Sequence, residues 1–204
     1  MADTADALLA AATKLFAERG FEGTSVRAIC EAADANLNAV SYHFGGKRGL
    51  YEKIVARFGD VQVESARRVL GEPPRDEREL ETRLLLYVEE MLAAYREQPE
   101  LLIILFAEFQ QAFRNSSSDV LGQFREQTEV LLRFLRGARR RGLLRKGIDV
   151  EIVAGALMER ITNQVRYADS IAAIYGESTS AKSPTYLRHW ARQTVQLLLY
   201  GAAR

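Results

Sequence analysis

The chain has 204 residues, 48% of them hydrophobic, and a formal net charge of +1. That length and composition suit one generous core or two modest domains and exclude global disorder, while the near-neutral charge leaves any nucleic-acid contact to a local arrangement of residues. A single cysteine, Cys30, excludes an internal disulfide framework, and the two histidines, His43 and His189, lie too far apart in sequence to suggest a metal site.

Four prolines, abundant Ala, Leu, Arg and Glu, and a shortage of β-branched runs bounded by turn residues predict an all-α fold of about nine helices. Met1 to Ala12 carries Asp3 and Asp6 with no cation before Lys14, unlike a secretory or transit segment. No apolar run reaches the roughly 18 residues of a membrane span. A cytoplasmic location is therefore expected, with no membrane partner.

Asp3 or Thr4 can cap a first helix with Leu8, Ala12, Leu15 and Phe16 at helical spacing and Gly20 as its stop. Thr24-Ser25 offers the next cap, before a short helix whose inner stripe is Val26, Ile29, Cys30 and Ala33. Asp34-Ala35-Asn36 reads as a tight turn, with Asn36 capping a third helix from Leu37 to Phe44. Gly45-Gly46 ends it, and Lys47 opens a fourth helix with Leu50, Ile54, Phe58 and Val61 inward, reaching about Leu70. Gly71 to Asp76, with two prolines, is the clearest breaker. Further helices are expected at about 77–97, 99–114, 118–142, 149–175 and 184–202. Their separators are Gln98-Pro99, Asn115 to Ser118, Gly142 to Gly147 and Gly176 to Pro184.

Two short helices joined by a three-residue turn outline a helix-turn-helix. On the third helix Asn38, Ser41 and Tyr42 fall on one side, and Leu37, Val40 and Phe44 on the other. Asn can bond an adenine edge, Ser can serve bases or phosphates, and Tyr, His and Lys can hold phosphate oxygens. Between Thr24 and Arg57 the basic residues Arg27, Lys47, Arg48, Lys53 and Arg57 face the acidic Glu31, Asp34 and Glu52, a thin local excess that a dimer would double. Periodicity alone leaves a second reading open, in which these helices merely complete a bundle.

The stretch Thr24 to Ala33, then Asn36, then Val40-Ser41-Tyr42-His43-Phe44-Gly45-Gly46-Lys47-Arg48-Gly49-Leu50, resembles the N-terminal domain of TetR-family regulators, and Ala11 to Phe21 resembles that family's first helix. The resemblance covers about the first 55 residues. It implies a DNA-binding domain over 1–55, a ligand-binding and dimerising helical domain over 56–204, and DNA contacts from Thr24, Ser25, Arg27, Asn36, Asn38, Ala39, Ser41, Tyr42, His43 and Lys47. Tyr42, His43 and Lys47 would meet the phosphate backbone, whereas Phe44 and Leu50 would be core. Two positions depart from the family pattern: the common turn glycine is Asp34, and the tyrosine often preceding Tyr42 is Ser41. Aspartate tolerates the left-handed conformation better than most residues, so the turn is expected to survive.

In the C-terminal body, Leu101 to Phe106 followed by Phe109 and Phe113 is apolar nearly all round, as a central buried helix would be. Tyr87, Met91, Phe106, Phe109, Phe113 and Met158 read either as simple core or as walls of a mostly apolar effector cavity. The last two long helices carry small-residue apolar stripes. In relatives such helices form a four-helix dimer interface, which here implicates Leu157, Ile161, Val165, Ala168, Trp190, Ala191, Thr194 and Leu198. The basic segment from Arg133 to Lys146 reads as a solvated helix C-terminus.

Enzymatic motifs are missing: there is no Gly-x-Gly-x-x-Gly, no phosphate-binding loop and no Gly-x-Ser-x-Gly, and Cys30 lies on an inner stripe. No cofactor is expected. A helical scaffold without DNA binding is the other alternative. The favoured expectation is a homodimeric repressor of a palindromic operator, released by a small-molecule effector.

Overall fold

Leu8, Ala12, Leu15 and Phe16 are buried along one face of α1 (Thr4–Gly23), as their spacing predicts. Gly20 breaks this helix without ending it: its φ of 72° and ψ of 173° lie outside the helical region, a conformation open mainly to glycine. After it come α2 (Val26–Ala32), α3 (Ala39–Phe44), α4 (Lys47–Leu70), α5 (Glu77–Glu97), α6 (Pro99–Gln110), α7 (Ser118–Arg140), α8 (Val150–Arg166), α9 (Ala168–Tyr175) and α10 (Pro184–Tyr200). The structure, a computed structural model, describes residues 4–111, 113, 118–176, 179, 181 and 183–201. Asp3, the alternative first cap, and Asn115-Ser116-Ser117 of the predicted separator lie outside the described residues. Among those described there are ten helices and no strand, and no helix is long and apolar enough to cross a membrane.

The extra helix arises where one was predicted over 149–175. At Tyr167 (φ −103°, ψ 23°) the backbone leaves the α region; its N–H still donates to the Asn163 carbonyl, and α9 restarts beyond it. Neither Gly nor Pro marks the break. Starts are better announced: Pro99 and Pro184 open their helices, where the missing N–H costs nothing, and Asp149 accepts from the N–H groups of Glu151 and Ile152. Helix α6 stops at Gln110, short of the predicted 114. It is also less enclosed than its composition suggests, because Ile103 and Phe109 are exposed. In α4 the inward stripe holds through Phe58, but Val61, which helical spacing places close to Leu50 on the wheel, is exposed while Gln62 and Val63 are buried, so the packed face of the helix changes there.

The chain divides into two compact units, one of residues 1–61 with 98–124 and the other of 62–97 with 125–204. In the first, α1 packs against α2, α3 and α6. Its centre is aromatic: the Tyr51 ring meets those of Phe16 at 5.0 Å and Phe21 at 4.9 Å, both edge-on. The Tyr51 hydroxyl donates to Glu108 Oε1 at 2.7 Å, with both residues buried. Burial, reinforced by Glu108, pushes the phenol pKa far above its ordinary value, so Tyr51 remains a donor.

In the second unit α5 pairs with α10 and α8, and α8 with α10. Leu84, Tyr87, Val88 and Met91 of α5, Leu131, Phe134 and Leu135 of α7, Leu157 and Ile161 of α8 and Leu187, Ala191 and Val195 of α10 are buried. Each large apolar side chain contributes about 1.5–3 kcal/mol by leaving water. Arg83 closes the corner after α4, donating through Nε to the Val69 carbonyl at 2.6 Å and lying 4.8 Å over the Phe134 ring.

Replacing Tyr51 by Phe removes a donor from buried Glu108 while preserving the ring contacts. The expected loss is about 1–3 kcal/mol in urea unfolding. Unaltered stability would show that the hydroxyl contributes nothing.

Candidate nucleic-acid interface

Ser25 caps α2, its Oγ accepting from the Ala28 N–H at 3.1 Å. As the acceptor in that bond, it keeps its own hydrogen to donate outward. At the other end Ala35 N–H donates to the Cys30 carbonyl at 2.9 Å and Asp34 N–H to the Glu31 carbonyl at 3.4 Å, the paired bonds of a helix closed by a left-handed residue. That residue is Asp34, with φ of 49°. The turn therefore survives the loss of its usual glycine.

Helix α3 begins at Ala39, two residues later than predicted, because Leu37 and Asn38 belong to the turn. Asn36 organises the entry: its Oδ1 accepts from Asn38 N–H and its carbonyl from Ala39 N–H, both at 2.9 Å. Gly45, with φ of 70°, closes the helix by donating to the Ser41 carbonyl. Val40 is the helix's buried residue and Phe44 is half-buried. Leu37, predicted to dock inward, is 56% exposed, since the turn carries it off the inner face.

The outward face holds Asn38, Ser41, Tyr42 and His43, all exposed, with Ala39 half-buried beside them. Tyr42 is 83% exposed, its ring edge-on to His43 at 4.9 Å. Ser25 and Arg27 are exposed on α2, and Asn36 on the turn. The geometry thus presents most of the predicted contact set, but not the Thr24 side chain. Thr24 is buried, its hydroxyl shared between the carbonyls of Gly20 at 2.8 Å and Leu15 at 3.1 Å, where the break in α1 leaves acceptors to satisfy.

Lys47 is held in the same corner. Its ammonium donates to the carbonyls of Phe21 at 2.9 Å and Thr24 at 3.0 Å and lies 4.3 Å from the Phe21 ring centroid. Two of its three hydrogens are spent internally, leaving one for another acceptor. Arg27 is paired with Glu31 at 2.8 Å; hydrogen-bonded to that carboxylate, its guanidinium has a raised pKa and stays charged. These internal partners, which sequence reading missed, come from the end of the first helix, 26 and 23 residues before Lys47.

The other predicted sets are dispersed. Tyr87, Met91 and Met158 lie in the second unit, joined by Gln127: its Nε2 donates to the Tyr87 hydroxyl at 3.1 Å and approaches Met91 Sδ at 3.3 Å, and the Tyr87 hydroxyl reaches Met158 Sδ at 3.6 Å. Phe106, Phe109 and Phe113 belong to the first unit, where Phe109 and Phe113 form an aromatic cluster with Phe124. Phe109 is 55% exposed, because α6 ends one residue beyond it. Of the eight dimer candidates, Leu157, Ile161, Ala191 and Thr194 are buried within the chain, while Val165, Ala168, Trp190 and Leu198 are half-buried.

A β-branched residue at Asp34 would meet the left-handed backbone with a steric cost of about 1–2 kcal/mol, whereas glycine would relieve strain. Asp34→Val should therefore unfold at lower urea than the parent and Asp34→Gly at the same or higher. Equal midpoints for Val and Gly would refute this account of the turn.

Residues 8–54 match the family model for bacterial regulatory proteins of the tetR family. The "Probable HTH-type transcriptional regulator YttP" of Bacillus subtilis is 47% identical over 55 residues, so the chain spans 27% of that relative's length in the match and 27% of its own. The "HTH-type transcriptional repressor NicS" of Pseudomonas putida is 29% identical over 151 residues, covering 71% of this chain and 68% of that one. Among solved structures, the TetR family transcriptional regulator PfmR from Thermus thermophilus superposes with a TM-score of 0.77 over 100% of both chains at 22% identity. The ketosteroid transcriptional regulator KstR2 of Mycobacterium tuberculosis does so at 0.76 over 100% of this chain and 97% of its own, at 19% identity. These two likenesses carry the fold. The helix-turn-helix geometry and the family match fall on the same residues, so the N-terminal region is a DNA-binding domain similar to that of the tetR family of transcriptional regulators.

Proposed function

We propose that this regulator is a repressor that occupies a palindromic operator as a homodimer and leaves it when a small, mostly apolar effector binds. The observation that carries the reading is the outward face of α3, which offers Asn38, Ser41, Tyr42 and His43 to solvent while Val40 anchors the helix from behind. In this assignment Asn38 and Ser41 read base edges, while Tyr42, His43, Ser25, Arg27 and the remaining Lys47 hydrogen hold phosphates. Asn36 and Thr24 act by shaping the corner. Residues 1–55 would read DNA and 56–204 would sense and dimerise, with α4 continuous across the division. The similarity to a protein named as a repressor supports the sign of regulation.

Dimerisation through α8 and α10 fits the positions of Val165, Ala168, Trp190 and Leu198, which the chain leaves partly uncovered. For the effector, Tyr87, Met91 and Met158 supply polarizable walls that can repack, and Gln127 supplies a buried amide to orient a polar group. An effector shifts operator affinity only by its preference between the two states, and coupling of about 1–3 kcal/mol is typical.

Selection of bound DNA from a random pool tests the reading directly. Two inverted half-sites are expected, their centres separated by about 34–36 Å or a multiple of it. Asn38→Ala should cost about 1–3 kcal/mol and relax preference at one position in each half-site, whereas Lys47→Ala should weaken all sequences alike and flatten the salt slope by about 1 per subunit. An unselected pool, or a single asymmetric site, would overturn the dimeric operator reading.

A further inference from the structure

Among the described residues of the helix-turn-helix, two large apolar side chains are exposed, Leu37 at 56% and Tyr42 at 83%. Tyr42 ends in a hydroxyl that can meet a phosphate, so the reading above accounts for it. Leu37 has no polar atom, and a helical wheel would place it inward. Its position outside is fixed by the backbone around it. Asn36 Oδ1 accepts from the Asn38 N–H and the Asn36 carbonyl from the Ala39 N–H, both at 2.9 Å, so Leu37 and Asn38 are the central residues of a closed turn. On the inner side the buried Cys30 thiol donates to the Leu37 carbonyl at 3.9 Å. Asn38 then serves as the N-cap of α3, its own carbonyl accepting from the Tyr42 N–H at 2.9 Å.

A single exposed leucine on a protein surface is ordinary, but this one stands on the polar face assigned to DNA, between Asn36 and Asn38, which are both exposed. It cannot hold a phosphate or bond a base edge. The major groove offers one apolar group that differs between bases, the C5-methyl of thymine. Consecutive Cα atoms lie about 3.8 Å apart and base pairs stack about every 3.4 Å, so neighbouring residues address the same or the next base pair. A side chain held by a closed turn also loses little further freedom on meeting that methyl.

We propose that Leu37 determines specificity by packing on the C5-methyl of a thymine in each half-site, within one base-pair step of the base whose edge Asn38 reads. This rests on the DNA-reading assignment of α3 above and adds a base identity to it. Any other base at that place presents no methyl and leaves the leucine against hydrated polar groups.

Titration of the full chain with the duplex recovered from a random pool tests it, alongside copies in which each thymine in turn, at equivalent places in both half-sites, is replaced by deoxyuridine. Deoxyuridine pairs as thymine does and lacks only the methyl. At one such position the parent should lose about fourfold in affinity per half-site, the worth of one buried methyl group. Leu37→Ala should bind the thymine duplex more weakly by at least that amount and become indifferent to deoxyuridine there. Its salt slope should match the parent's, because no phosphate contact is lost. Leu37→Met, which keeps an apolar side chain of similar volume, should retain the methyl sensitivity, and circular dichroism should show both variants folded, since the replaced side chain is exposed. A parent indifferent to every thymine methyl, or a Leu37→Ala variant with undiminished methyl sensitivity, would overturn the inference. So would a Leu37→Ala variant that weakens all sequences alike, which would put the side chain on deoxyribose. A parent that enriches no sequence would instead overturn the DNA-reading assignment itself.

Discussion

At its C-terminal end an α-helix leaves carbonyl groups without intrahelical donors, and in this chain a cation from elsewhere supplies them. The Lys47 ammonium takes the carbonyls of Phe21 and Thr24 together and rests on the Phe21 ring. That one group joins the broken end of α1 to the first residue of α4, and the intervening residues are the helix-turn-helix. Positive charge at a helix C-terminus is favourable in itself, and two charge-assisted bonds add to it. Four residues on, Tyr51 carries the same aromatic surface inward and reaches Glu108, so the base of α4 is tied to α1 at one turn and to α6 at the next.

This arrangement changes how the reading head is understood. A lysine at the start of a helix invites a purely phosphate-binding role, yet most of its hydrogen-bonding capacity is internal. Thr24 has likewise been turned inward, and Asn36 spends its carbonyl oxygens on starting α3. Rigidity of this sort has functional value: a contact group held by packing and second partners pays less ordering entropy when it meets DNA. Under the proposed reading, what remains for recognition is a compact exposed face on a six-residue helix, with small side chains beside Tyr42.

The second unit uses polar groups differently. Tyr87, Gln127, Met91 and Met158 form a hydrogen-bonded knot in an otherwise apolar interior, where burial keeps the Tyr87 phenol neutral by raising its pKa. Gln164 is the contrasting case, a buried amide whose nitrogen has no acceptor among the described residues. The two amides differ in what they do for the helical body: the first fixes a core, and the second leaves a buried donor unpaired.

Local signals in the sequence determined the helical class, most helix starts and the whole outline of the helix-turn-helix, because capping residues, glycine stops and 3.6-residue periodicity act over a few neighbouring residues. The survival of the turn at Asp34 was legible for the same reason: tolerance of positive φ is a property of the residue itself. Tertiary structure alone decided which side chains on those helices are free. Leu37 and Val61 sit where a helical wheel would bury them, but a turn exposes the first and a change of packed face along α4 exposes the second. The division of the predicted cavity walls between two units, the break at Tyr167, and the capture of Lys47 by carbonyls 23 and 26 residues away depend on which distant segments meet. Such pairings are set by packing of whole faces, and no spacing along the chain encodes them.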